Sequence, residues 1–261
     1  MLFSVLTSIY KKNTIIELDR CFDSIRRQCT KPNEIILVVD GPIEEDIFTK
    51  IEHWKQILPI KCFALPKNQG LAAALNYGLD LCACDWVFRI DIDDVCADDR
   101  FKIQTEFILN QPSLHIVGGN IECFTVYPQF FPGRKVPLTN KAIRRFSKYR
   151  NPLNHPTVAF KKDAILEIGG YPAARLGQDY LLWVEALRHG LDIQNCTETL
   201  VYMQVDNNTY ARRGLSNFLF DCKPYFQMKR YGITNSIELF IGVVARMGYC
   251  TLCSLRWMVK R

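Results

Sequence analysis

The chain has 261 residues, 48% of them hydrophobic, and a formal net charge of +6, which suits one large packed domain or one domain with an appendage. Its 11 cysteines include two closely spaced pairs, Cys82/Cys84 and Cys250/Cys253, but neither has the second pair that a zinc site needs, so buried or surface thiols in a reducing cytoplasm are expected. The first residues run directly into a strand pattern without a basic region or cleavage site, which argues against a signal peptide.

The first half of the chain alternates predicted strands with predicted helices. Apolar periodicity predicts strands over residues 3–7, 34–39, 61–65, 86–90 and 114–117, and helices over 15–28, 44–56, 71–81 and 98–110. Such alternation predicts an α/β fold with a parallel sheet. The loop after the first strand has no glycine fingerprint and no Walker sequence follows it, which disfavours an NAD enzyme or a P-loop NTPase. A later helix is predicted over 180–188.

Three carboxylates follow the predicted strand 86–90 directly, in the sequence Asp91-Ile92-Asp93-Asp94. Carboxylates this close repel one another unless a cation or its ligand compensates their charge. All-oxygen sites of this kind suit Mg²⁺ or Mn²⁺, typically held by one or two carboxylates and the phosphates of a substrate. Because ligands of an open α/β sheet bind at the carboxyl ends of its strands, we expect a metal–diphosphate site here.

The acidic sequence has other interpretations. It could be a polar loop, or the Asp-x-Asp motif of a haloacid-dehalogenase-type phosphatase, which also follows an apolar strand. An EF-hand loop is excluded because its sixth and twelfth positions, which require Gly and Glu, hold Cys96 and Lys102.

Five motifs in chain order resemble family 2 glycosyltransferases with the GT-A fold. They are SVLTSIY at residues 4–10, ILVVDG at 36–41, NQGLAAALNYG at 68–78, DIDD at 91–94 with DRF at 99–101, and GQDYLLW at 177–183. Each motif alone is weak, and their order across residues 4–183 carries the resemblance. It is closest to bacterial enzymes that build O-antigen and exopolysaccharide repeat units, and the sequence NHPTV at 154–158 adds to it.

The resemblance implies a GT-A, Rossmann-like, mostly parallel sheet flanked by helices, and a donor site at its strand ends. In that site Tyr10 would lie against the nucleobase, Asp40 would accept a hydrogen bond from the uracil imide, and Asn68 and Gly70 would line the donor. Asp93 and Asp94 would be the metal ligands, with Asp91 contacting ribose, phosphate or metal-bound water. Structural roles stay open for several of these, since Asp40 could start a turn and Tyr10 could be a core residue.

On the acceptor side, the resemblance implies that Asp179 is the general base and that Asn154 and His155 contact the acceptor. A divalent cation would neutralise the leaving diphosphate while the base takes the proton of the acceptor hydroxyl, and a single in-line displacement inverts the anomeric centre. Asp179 could instead be only a first-turn helix acid. The family often has Glu where this chain has Gln178. The terminal CSLRW at 253–257 lacks the Gln of processive synthases, which indicates transfer of one sugar per encounter.

Positive charge is concentrated in two blocks. Residues 123–162 hold nine basic and no acidic side chains, and residues 223–261 hold seven basic and one acidic. Such blocks meet phosphates, and with no nucleic-acid-binding motif present we expect a membrane and no nucleic acid. Arg144 and Arg145 would hold the acceptor diphosphate, and Arg212 and Arg213 would close over the donor diphosphate. The uncharged runs near the C-terminus are too short to span a bilayer, so we expect a helix that docks on the membrane or packs on the domain.

The sequence therefore predicts a GT-A domain over residues 1–222, with a nucleotide-binding half (1–122) and an acceptor-binding half (123–222), followed by a basic, apolar helical segment (223–261). The predicted activity is inverting, metal-dependent and non-processive transfer of a hexose, glucose or galactose, from a UDP-sugar to an undecaprenyl-diphosphate-linked saccharide at the cytoplasmic face of the bacterial plasma membrane. The two alternatives are the phosphatase, with Asp91 as nucleophile, and a non-catalytic nucleotide-sugar-binding scaffold.

Overall fold

A computed structural model of the chain describes residues 1–205 and 215–259, with side chains described as far as residue 255. The strands are β1 (Phe3–Ile9), β2 (Glu34–Asp40), β3 (Ile60–Leu65), β4 (Trp86–Arg89), β5 (Val95–Cys96), β6 (Ile116–Phe124), β7 (Phe130–Pro132), β8 (Ala159–Lys161) and β9 (Ile193–Gln204). The helices are α1 (Ile15–Arg27), α2 (Glu45–Lys55), α3 (Leu71–Leu81), α4 (Arg100–Leu109), α5 (Asn140–Phe146), α6 (Lys162–Glu167), α7 (Gln178–Arg188), α8 (Phe218–Arg230) and α9 (Ser236–Val259).

Local sequence explains where helix α1 begins. Thr14 is the N-cap residue, and its hydroxyl accepts a hydrogen bond from the N–H of Glu17 at 3.3 Å. The carboxylate of Glu17 in turn accepts from the N–H of Thr14 at 2.9 Å, which completes a capping box. Helix α3 begins where predicted, directly after Gly70, whose φ of 88° is readily adopted only by glycine.

The sheet order is β3-β2-β1-β4-β8-β6-β9-β5, with β7 paired to β6 beside this path. Strands β1 to β4 pair in parallel, as the alternating pattern predicted. Strand β8 is antiparallel to both β4 and β6, and β5 is antiparallel to β9. The α/β, GT-A-like fold is therefore confirmed, with a sheet that is mixed beyond β4. Strand β6 runs across the predicted boundary at residue 122, so the sheet is continuous through both halves.

The connection between β4 and β5 shows that the sheet curls. These strands are the fourth and eighth in the sheet order, which in a flat sheet would separate them by about 19 Å. The connecting residues 90–94 are not extended, since the N–H of Asp94 donates to the carbonyl of Asp91 at 3.1 Å. The far edge of the sheet must therefore return toward the end of β4. We call residues 91–94 the acidic turn.

Two apolar clusters cover the two faces of the sheet, because successive residues of a strand point to opposite sides. On one face, Ile35, Leu37 and Val39 of β2 pack with α1, α2 and α4. On the other, Ile36 and Val38 pack with α3, α6 and α7. A third cluster joins α7 to α8 and α9.

Helix α9 differs from the sequence expectation in length. It is continuous over 24 residues, and its part Ser236–Leu255 is long and apolar enough to cross a membrane by length and composition. The uncharged runs identified in the sequence were shorter, because Glu238 and Arg246 interrupt the apolar sequence. Only 17% of the most apolar window of this helix is buried against the rest of the protein.

Candidate active site

The acidic turn leaves the sheet beside a buried arginine. Arg89, in β4, is 1% exposed, and its guanidinium forms an ion pair with the carboxylate of Asp91. It also donates to the carbonyl of Leu6 at 3.4 Å, while the carbonyl of Arg89 accepts from Arg100 at 2.6 Å. Asp91 is thus fixed by a cation below it, and 31% of its side chain remains exposed.

Asp94 is the deepest carboxylate of the acidic turn, with 2% of its surface exposed. It accepts a hydrogen bond from the N–H of Gln204, the last residue of β9, at 2.9 Å. Burial raises the pKa of Asp94 well above its ordinary value, and the charges of Asp93 and Asp91 raise it further. Asp93, between them, is half-buried. The turn therefore concentrates negative charge that a divalent cation would compensate.

The donor atoms of the acidic turn fit a cation that is only partly enclosed by protein. Within the described residues, no three His, Cys, Asp or Glu side chains converge to form a complete metal cage. Hard cations such as Mg²⁺ usually take one or two carboxylates and complete their shell with substrate phosphates and water. Asp93 and Asp94 supply oxygen ligands of that kind.

Asp40, at the end of β2, organises the loop over residues 66–70. Its carboxylate accepts hydrogen bonds from the N–H of Gln69 at 2.7 Å, the side-chain amide of Asn68 at 2.9 Å and the N–H of Gly70 at 3.0 Å. Gly41 permits this approach, since a Cβ there would lie 2.5 Å from the nitrogen of Asn68. The structure thus brings Asp40, Asn68 and Gly70 together, and it gives the carboxylate the structural task of holding this loop.

Tyr10 lies at the neighbouring strand end. It follows β1 directly, is half-buried, and its N–H donates to the side-chain carbonyl of Asn13 at 3.1 Å. Its expected contact with a nucleobase stays a prediction.

Asp179 lies in the first turn of α7, which begins after Gly177 with a φ of 72°. One carboxylate oxygen accepts a hydrogen bond from the side-chain amide of Asn151 at 2.6 Å. Asn151 was not among the expected site residues, and nothing in its sequence context singles it out. It lies 28 positions away along the chain, so only the fold brings it to Asp179.

His155 and Tyr171 form a buried pair of polar side chains. The imidazole Nε2 of His155 lies 3.0 Å from the hydroxyl of Tyr171, and both residues are buried. Burial lowers the pKa of His155 and Arg89 acts in the same direction, whereas Asp91 and Asp179 both oppose the shift. The same two carboxylates add to the effect of burial, which raises the pKa of Tyr171. Asp91 and Asp179 therefore lie within electrostatic range of one buried pair.

Two of the expected acceptor contacts lie below the surface. Asn154 is 3% exposed, and its amide group donates to the carbonyls of Gly119 at 2.9 Å and Arg134 at 3.1 Å. Its side-chain oxygen accepts from the guanidinium of Arg134 at 2.7 Å, which leaves no N–H for a ligand. These bonds give Asn154 a structural role, and its expected contact with the acceptor stays a prediction. His155 is 9% exposed, and its expected contact with the acceptor also stays a prediction.

The expected basic contacts are only partly described. Arg144 and Arg145 are both exposed on α5, and Arg144 donates to the side chain of Asn140 at 3.2 Å. Arg212 and Arg213 lie outside the described residues. Their expected roles all stay predictions.

The profile of glycosyl transferase family 2 matches residues 4–169, which is more than half of the chain. The chain belongs to glycosyl transferase family 2. It is therefore a glycosyltransferase, and the phosphatase interpretation of the acidic turn is set aside. The expected likeness to bacterial enzymes of O-antigen and exopolysaccharide synthesis is confirmed.

Two relatives carry this likeness, and one solved structure shows the same fold. The chain is 36% identical over 251 residues to the UDP-Gal:alpha-D-GlcNAc-diphosphoundecaprenol beta-1,3-galactosyltransferase of Escherichia coli, covering 94% of this chain and 90% of the relative. It is 32% identical over 228 residues to the amylovoran biosynthesis glycosyltransferase AmsE of Erwinia amylovora, covering 87% and 85%. The mannosyltransferase PcManGT of Pyrobaculum calidifontis, solved with GDP-Man and Mn²⁺, has a TM-score of 0.69 at 14% identity, covering 99% of this chain and 74% of that one.

Proposed function

We propose that this family 2 enzyme transfers one hexose from a UDP-sugar to a lipid-diphosphate-linked saccharide, with inversion at the anomeric carbon. The observation that supports the proposal is a pair of carboxylates that the fold holds in place: Asp91 pairs with Arg89 at the end of β4, and Asp179 accepts from Asn151. Both carboxylates lie within electrostatic range of the buried His155–Tyr171 pair. A site for the leaving diphosphate and a carboxylate for the acceptor hydroxyl are needed at opposite ends of one sugar. Galactose is the first hexose to test, because the E. coli relative is named for UDP-Gal.

Asp93 and Asp94 are proposed to hold Mn²⁺ or Mg²⁺ together with the donor diphosphate. Asp94 supports this because its carboxylate is buried among like charges, a situation that a bound cation relieves. The cation would supply charge neutralisation of the leaving diphosphate. Mn²⁺ accompanies the donor in the PcManGT structure, although that likeness by itself concerns the fold.

The chain's own residues divide the remaining work. Arg89 holds the carboxylate of Asp91 in place, so that Asp91 can face the ribose or phosphates. Asp40 shapes the loop over residues 66–70, which would line the donor. Asp179 would take the proton of the attacking hydroxyl. The side-chain amide of Asn151 donates a hydrogen bond to one carboxylate oxygen of Asp179 and so orients the carboxylate.

The acceptor is proposed to be an undecaprenyl-diphosphate-linked saccharide at the cytoplasmic face of the plasma membrane. The E. coli relative's name includes a diphosphoundecaprenol acceptor. Arg144 and Arg145 are exposed within the basic block over residues 123–162 and would meet the acceptor's diphosphate. Changing both to alanine should raise KM for the acceptor and leave KM for the UDP-sugar unchanged, and an unchanged acceptor KM would contradict their role.

Release of UDP tests the proposal directly. Wild type would be incubated with a panel of UDP-sugars and a synthetic lipid-diphosphate-GlcNAc acceptor, with Mn²⁺, Mg²⁺ or EDTA. Turnover with one donor should require the cation and be lost in Asp93→Ala and Asp179→Asn, whereas the exposed control Asp80→Asn should match wild type. NMR of the product gives the anomeric configuration. Turnover of Asp179→Asn at the wild-type rate would contradict its role as base.

A further inference from the structure

Helix α9 has its polar and apolar sides reversed relative to an ordinary surface helix. Glu238 accepts a hydrogen bond from Lys148 at 2.6 Å, and Arg246 forms an ion pair with Asp221 of α8. Both charged groups of its apolar part therefore face the protein. Surface helices of soluble proteins normally turn charged residues outward and apolar residues inward.

The side of α9 that faces away from the protein is mainly apolar over residues 237–255, where its side chains are described. Its side chains recur three or four positions apart, which places them on one stripe of a helix. Helix α8, packed against it, adds two more exposed apolar side chains seven positions apart. The principal members of this apolar face, between 44% and 78% exposed, are Leu219, Phe226, Phe240, Ile241, Val244 and Leu252. Exposed apolar surface of this continuity marks a binding surface.

The exposed charge beside the apolar face is positive. Helix α8 and the described part of α9 hold two acidic residues, and both are in ion pairs: Asp221 with Arg246 and Glu238 with Lys148. Lys223, Lys229 and Arg230 of α8 are all exposed. An apolar stripe flanked by basic side chains is complementary to the acyl chains and anionic headgroups of a bilayer. A second copy of the chain would instead bring like charges together.

We propose that α8 and α9 dock on an anionic lipid bilayer through the apolar face, with α9 lying flat in the headgroup region. The ion pairs of Glu238 and Arg246 argue against a crossing helix. They tether α9 to the protein body at two points about 12 Å apart along its axis, and crossing would bury or break both. This inference rests on the proposed function, since it names the surface by which the enzyme would meet a lipid-linked acceptor.

A short segment joins the apolar face to the catalytic carboxylate. This segment is residues 147–151. Its Lys148 pairs with Glu238 of α9, and the carbonyl of its Tyr149 accepts from the hydroxyl of Tyr225 of α8 at 2.8 Å. The side-chain amide of its Asn151 donates to Asp179 at 2.6 Å. Because three residues of this five-residue segment make these contacts, the docked face lies near the acceptor side of the site.

Vesicle co-sedimentation of the full chain tests the docking. Wild type should sediment with phosphatidylglycerol–phosphatidylethanolamine vesicles and much less with phosphatidylcholine vesicles. The double variant Phe240→Glu and Val244→Glu should bind at least tenfold more weakly. The matched control Leu109→Glu, which changes an apolar side chain 63% exposed at the end of α4, should bind like wild type. Unchanged binding of the double variant would overturn the proposal. It would also be overturned if wild type bound no vesicles and instead formed a dimer that the double variant disrupts.

Depth measurements separate a flat helix from a crossing one. Positions 240 and 252 are twelve residues apart, which is about 18 Å along a helix. Phe240→Trp and Leu252→Trp should show the same quenching depth with brominated lipids, above the wild-type background. Depths differing by most of that length would overturn the flat orientation.

The two proposals can fail independently. Vesicle binding requires no turnover, so a chain that binds vesicles but transfers no hexose would contradict only the proposed function. Turnover on a water-soluble, short-chain GlcNAc-diphosphate acceptor without vesicle binding would contradict only the docking. With that soluble acceptor, the double variant should retain the wild-type rate.

Discussion

Asp40→Asn should destabilise the protein although it changes only one atom. The carboxylate accepts three hydrogen bonds, of 2.7, 2.9 and 3.0 Å, and the residue is 5% exposed, so water cannot replace a lost partner. In either orientation, the new amide turns an NH₂ group toward at least one N–H donor. One charge-assisted bond is lost, worth about 1.5–3 kcal/mol. We expect a loss of about 2 kcal/mol from the free energy of unfolding, or about 4–8 °C in Tm.

Urea denaturation and UDP titration together measure this effect. The loop held by Asp40 carries Asn68 and Gly70, so the dissociation constant for UDP should rise along with the loss of stability. Asp80→Asn, an exposed change on α3, is the control and should leave both values unchanged. An Asp40→Asn variant as stable as the control, within 0.5 kcal/mol or so, would refute the structural role. If UDP binding alone fell, Asp40 would serve the nucleobase without supporting the loop.

Three further changes address the site and the pH response. Asn151→Ala should lower kcat about 10–100-fold, the cost of losing one hydrogen bond to the charged Asp179, with UDP affinity unchanged by calorimetry. Asp94→Asn should raise the Tm of the metal-free protein because it removes one of several like charges from a buried position. It should also reduce the stabilisation that Mn²⁺ gives to wild type, which is about 2.7 kcal/mol when the free Mn²⁺ concentration is 100 times Kd. Burial lowers the pKa of His115 from 6.5, so the unfolded chain binds a proton at this residue more readily than the folded chain does. The free energy of unfolding should therefore fall as pH drops below 6.5. Urea titrations of His115→Gln over the same pH range should show a weaker fall.

The sequence predicted the elements of the nucleotide-binding half well because their signals are local. Helix α3 has its predicted bounds, and the capping residue of α1 was expected at residue 13 or 14. The antiparallel direction of β8 left no comparable signal, since apolar periodicity records burial and not strand direction. Strand β6 was predicted to end at residue 117, because glycines 118 and 119 interrupt the apolar pattern. In the structure the strand continues to Phe124.

The candidate site was predictable where its residues adjoin strand ends and unpredictable where partners come from afar. The acidic turn and Asp40 follow strands directly. Asn151 meets Asp179 only through the fold, and the same holds for the loop that surrounds the carboxylate of Asp40. Arg89 could have been found, since a charged residue inside a buried strand requires a partner, and the acidic turn two residues later provides one.

The return of the sheet edge to the acidic turn limits which loops of this enzyme can change in length. An inserted residue between β4 and β5 would shift Val95 and Cys96 out of register with Tyr202 and Val201, and would move the buried Asp94 from its bond to β9. We therefore expect homologous enzymes with different sugar substrates to vary in the length of their other loops while keeping this one at a fixed number of residues.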